Sequence, residues 1–108
     1  MSNFKFVVVL ESVITDRTFV ASKNNNGEQY ARYGSRRSGY DNNFFKTQGQ
    51  FVSSLISAIN SDKKRGDKLI EVRLELVRNG ELEVHNLTKV FNALSEITPS
   101  FVNKFLSL

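Results

Sequence analysis

The chain has 108 residues and a net charge of +4, enough for one hydrophobic core and short for two domains. Its apolar share of 40% and charged share of 24% are those of an ordinary globular protein. The absence of cysteine excludes disulfides, thiolate metal sites and cysteine nucleophiles, and a single histidine, His85, excludes multi-histidine metal sites.

Phe4–Leu10 is β-branched and aromatic and reads as a strand. Glu11 to Asp16 is a break or bulge. Arg17–Ser22 is extended again, so 4–22 is one bent strand or two short ones. Lys23–Gly27 holds an Asn triplet and a Gly, residues that tolerate the backbone of a tight turn. Glu28–Arg36 is the returning strand. Ser38–Asn43 is a polar loop, and a short apolar piece follows at Phe44-Phe45.

Phe51, Val52, Leu55, Ile56 and Ile59 then fall at helical spacing. The segment Asp62–Asp67 ends that helix at Gly66, and its cations at 63–65 suit a helix C-terminus. Ile70, Val72, Leu74 and Leu76 alternate with Glu71, Arg73, Glu75 and Val77 as a half-buried strand. Asn79-Gly80 is a two-residue hairpin turn into a strand on which Leu82 and Val84 continue the apolar face, while Glu81, Glu83 and His85 face the other way. Leu87, Val90, Phe91, Leu94 and Ile97 predict a helix up to Thr98-Pro99, and Phe101, Val102, Phe105 and Leu106 a last short one. A small barrel with a helix inserted after its third strand fits this order, as does a generic α+β sheet.

The charge is not spread evenly. Residues 17–46 carry six basic side chains against two acidic ones, and the other 78 balance. The same stretch holds all three tyrosines and Phe44-Phe45. Cations for phosphates interleaved with rings for bases suit single-stranded nucleic acid. Strand alternation puts Tyr30 and Arg32 on one side and Ala31 and Tyr33 on the other. The small Ala31 suits a crowded interior, so Tyr30 and Arg32 are expected to face outward. Phe44 and Phe45 point oppositely, which makes one of them an exposed platform. Arg73 either extends the groove or pairs with a glutamate.

Catalysis has weak residues by comparison. Glu71, Glu75, Glu81 and Glu83 have the spacing of solvated strand faces, His85 has no acidic triad partner nearby, and no phosphate-binding glycine motif occurs. No enzyme, cofactor or metal is expected. No run approaches the ~18 apolar residues of a membrane helix, and Met1–Leu10 lacks a basic start and a cleavage site, so a cytoplasmic protein is expected.

Three stretches resemble the single-stranded DNA-binding (SSB) family of bacteria and their phages. Tyr30–Arg37 is similar to that family's second strand and its basic end. Phe44-Phe45-Lys46 with Gly49-Gln50-Phe51 is similar to its third strand and helix start. Lys64–Leu74 is similar to its KKGD segment and the apolar strand after it. The resemblance spans roughly 4–87 and implies an OB fold: a mainly β, five-stranded barrel with a helix between strands 3 and 4. Residues 88–108 are then a helical extension, packed on the barrel or at an oligomer interface.

It implies binding of single-stranded DNA with little sequence preference, during replication or recombination, by Arg32, Arg36, Arg37, Tyr40, Phe44, Phe45, Lys46 and Arg73; Tyr30, outward by strand alternation, is a further candidate. It also implies dimers or tetramers, often joined through the first strand, and partners among replication or recombination proteins. There is no tryptophan, so Tyr and Phe must stack. The apolar Phe101–Leu108 ends the chain where the family has an acidic tail, so recruitment through such a tail is not expected. An RNA-binding OB module, or a protein-interaction module such as a replisome adaptor or virion component, is the alternative. In the interaction reading the apolar stripe of the last helix is the working surface.

Overall fold

The computed structural model describes residues 3–11, 15–36, 39–67 and 69–107, with the backbone alone at 15, 35, 36 and 39–41. Strands β1 (Asn3–Glu11), β2 (Thr15–Asn24), β3 (Gly27–Arg36) and β4 (Gly39–Phe45) lead into helix α1 (Gln48–Lys64). Strands β5 (Leu69–Arg78) and β6 (Glu81–Asn86) follow, then helices α2 (Thr88–Ala93) and α3 (Pro99–Leu106).

All six strands form one antiparallel sheet in the order β4-β3-β2-β1-β5-β6. Its edges, β4 and β6, do not pair among the described residues, so the sheet is open where a closed five-stranded barrel was expected. The sixth strand arises because residues 4–22 form two full strands, with Glu11 facing Asp16. The inserted helix therefore follows strand four. The apolar side chains that a barrel encloses between its own strands are here covered by helices on one face.

That face carries Phe4, Phe6, Val8 and Leu10 of β1, Phe19 and Ala21 of β2, and Val72, Leu74 and Leu76 of β5. Phe51, Val52, Leu55 and Ile59 of α1 pack against it, with Phe91 of α2 and Val102 and Leu106 of α3 in the same core. Phe6 stacks on Phe105 at 6.0 Å, and Phe91 meets Phe101 edge-on at 5.1 Å. The apolar stripe of α3 thus faces the sheet rather than solvent. Among the described helices none is long and apolar enough to cross a membrane.

Local chemistry sets the boundaries. Thr47 caps α1 by accepting from the Gln50 N–H at 3.2 Å, and Thr98 caps α3 from the Phe101 N–H at 3.3 Å. At the α1 C-terminus the Lys63 ammonium donates to the Phe91 and Leu94 carbonyls at 2.7 Å each, closing the end of α2. Burial lowers its pKa below the usual lysine value. Asn79 and Gly80 both take positive φ, 52° and 79°, the backbone of a tight hairpin turn.

Candidate nucleic-acid interface

Register divides the sequence-predicted site between two faces of the sheet. Across β2, β3 and β4 the partners Ala21–Tyr30–Phe45 and Phe19–Arg32–Asn43 lie on the helix side. Val20–Ala31–Phe44 and Thr18–Tyr33–Asn42 lie on the opposite side, which no described helix covers.

Tyr30 therefore points into the core, only 6% exposed, and the expected outward tyrosine is Tyr33 instead, at 41%. The reason is aromatic packing: Phe51 of α1 gathers the rings of Phe19, Tyr30 and Phe45 at 5.5–6.1 Å. The Tyr30 hydroxyl reaches the rim and donates to Glu28 at 3.0 Å, with Gln48 Oε1 at 3.2 Å. Burial, aided by the Glu28 carboxylate, pushes its pKa up to about 12. Ala31 is also buried, yet it lies on the open face, in the row between Val20 and Phe44.

On the open face Phe44 is 63% exposed, and its ring meets Tyr33 edge-on at 6.2 Å. The row through Phe44 runs on through Ala31, Val20 and Val7 to Arg73. It crosses five strands, or ~19 Å at ordinary strand spacing. Two adjacent exposed rings with an apolar floor beside them suit flat, planar ligands.

Arg73 ends that row held by its own strand. Its guanidinium bonds Glu71 at 2.8 Å and Glu75 at 2.7 Å, which raises its pKa and satisfies its charge. The structural role expected as one alternative is the one seen, with strand neighbours at i±2 in place of a cross-strand glutamate.

Arg32 and Phe45 line a groove of about 910 Å³ on the helix side, between β2–β4 and the Ser53, Ser54 and Ser57 face of α1. Arg17 at its end donates to both oxygens of the buried Asp62 at 2.9 Å, and Arg65 binds the same carboxylate. Part of the basic excess of 17–46 is thus spent inside the fold. Lys46 is exposed in the bend before α1. Arg36 pairs with Gly39 and Tyr40 with Ser35 through the backbone, their side chains lying outside the described residues, as Arg37 does entirely.

Sequence reasoning missed Tyr33 as an exposed ring and Asp62 as the acceptor for Arg17. The available signal for Tyr33 was the matching parity of Phe44 across the β3–β4 hairpin. Nothing in the local sequence marks Asp62, which sits 45 residues from its partner. Among the described residues no three His, Cys, Asp or Glu side chains gather as a metal site.

No family model matches the chain, and neither curated proteins nor solved structures give a significant match.

Proposed function

We propose that the chain is a cytoplasmic protein that binds single-stranded DNA with little sequence preference, shielding it during replication or recombination. Bases stack on Tyr33 and Phe44, and basic residues close to them in the sequence, Arg36, Arg37 and Lys46, neutralise phosphates. The observation that carries this reading is the pair of exposed rings, side by side on an uncovered sheet face, inside the one segment that holds the whole charge excess. The reading keeps strands β3 and β4 of the expected SSB-like site but does not need a closed OB barrel. It moves the contact to the sheet's open face, so Tyr30 and Phe45 support the strands from behind. The strand's path leads from the rings toward Val20 and Val7.

Fluorescence anisotropy with labelled oligo-dT tests it, using duplex DNA and oligo-U as competitors. Binding is expected to prefer the DNA single strand and to weaken steeply with salt. Phe44→Ala and Tyr33→Ala should each lower affinity about 5- to 150-fold, the worth of one stacked base, with melting temperature unchanged. Wild-type affinity in both variants, or no binding at low salt, sinks the proposal.

A further inference from the structure

Strand β6 is an edge strand in which all six residues are exposed, Leu82 at 61% and Val84 at 57% among them. Its backbone tells which groups are free. The two-residue Asn79-Gly80 turn makes Arg78 and Glu81 a hydrogen-bonded pair, so Glu81, Glu83 and His85 direct their N–H and C=O groups toward β5. The Leu87 N–H continues that series, donating to the Val72 carbonyl at 2.7 Å. The N–H and C=O groups of Leu82, Val84 and Asn86 consequently point to the open edge. Side chains alternate in step. Leu82 and Val84, expected to continue the apolar face, lie on the opposite one, because the register sets Glu83 and His85 across from Leu76 and Leu74; Glu83 and His85 lie together, 3.5 Å apart.

We infer that β6 pairs antiparallel with β6 of a second copy about a two-fold axis at Val84. In that register Val84 faces Val84 of the partner and Leu82 faces Asn86, so every outward group of the three residues finds a mate, in six hydrogen bonds. Glu83 faces His85 of the partner twice, in non-hydrogen-bonded positions where side chains approach most closely. A register centred on Glu83 sets like charges against each other and satisfies only four backbone bonds. One centred on His85 also makes only four. Charge and hydrogen-bond complementarity therefore select the same arrangement. The interface is isologous and closes at two copies. It joins the two sheets into one of twelve strands with all helices on one side.

Sedimentation equilibrium of the full chain reads it out. The wild type is expected to be a dimer. Val84→Pro removes an outward N–H that the β5 ladder does not use, so it should yield a folded monomer with the wild-type circular-dichroism spectrum. Glu83→Lys should weaken the dimer about tenfold or more, and adding His85→Glu should restore it. The charge reversal and its rescue decide the matter even where the proline variant fails to fold. A monomeric wild type overturns the inference, as does a dimer indifferent to these changes. Species that keep growing with concentration also overturn it, because they put β6 on the other edge, β4.

Discussion

Tyr30 and Tyr33 stand three residues apart on one strand and meet opposite environments. The first is sealed under Phe51, and the second faces solvent beside Phe44. Because burial holds the Tyr30 phenol in its protonated form up to about pH 12, the folded chain keeps a proton that the unfolded chain releases near pH 10. The stability linked to it is complete below pH 10 and drains away between pH 10 and 12. Denaturant titrations across that window should show a steeper alkaline loss for wild type than for Tyr30→Phe, by up to about 2–3 kcal/mol. Parallel curves would mean that the phenol titrates normally. Residue type alone does not separate the two tyrosines, and Ala31 points the wrong way. Its small size fits a tight row on the open face as well as it fits a core.

Between elements, two asparagines do what neighbouring strands do elsewhere. Asn92 of α2 accepts from the Leu69 N–H at 3.0 Å and donates to the Leu69 carbonyl at 3.1 Å. Asn60 of α1 does the same for Ile97, at 2.9 and 3.0 Å. Asn92→Ala leaves both groups of a buried residue unpaired and should cost about 2–3 kcal/mol in thermal or denaturant melts. Asn92→Asp keeps the acceptor and should fall between. A neutral Asn92→Ala would show that water replaces the amide. These ties explain where sequence legibility stopped. The stripes at Phe51–Ile59 and Val72–Leu76, and the Asn79-Gly80 turn, announce α1, β5 and the hairpin because each element buries one face by itself, whereas Ile70 is exposed and Leu69, opposite Leu10 after a register shift, is buried. Leu87–Ile97 also has helical spacing, yet α2 ends at Ala93 and Leu94 is extended. Ile97 is carried into the core by the Asn60 clasp. Periodicity marks apolar spacing, not the backbone that brings a residue inward, and Val90 and Leu94 of the same stripe stay exposed.

For the molecule as a whole, the partition of faces is what the sequence concealed. Alternation along β3 is plain, but which side receives α1 depends on β5 inserting beside β1, so that both edges of β1 are taken. The assembly through the first strand that the SSB resemblance implies has no free edge to use. In the two-fold arrangement through β6, the Tyr33–Phe44 platforms sit at opposite ends of the joined sheet, ~50 Å apart at ordinary strand spacing. Affinity for oligo-dT should therefore rise in two stages with length: first when one platform is filled, then when a strand reaches both. The second stage should vanish in Val84→Pro. Its persistence there would assign the length effect to a single subunit.

The central position of β1 also bears on how the chain is made. Its β2 partner leaves the ribosome directly after it, whereas its β5 partners come much later, from Leu10 with Leu69 to Asn3 with Val77. At ordinary elongation rates those ~60–75 intervening residues take about 3–15 s. For that interval Phe4, Phe6, Val8 and Leu10 lack their second strand, and one hydrogen-bonding edge of β1 is unoccupied. Nascent chains stalled before β5 should be the form most readily captured by a holding chaperone, and synthesis of β5 should release them.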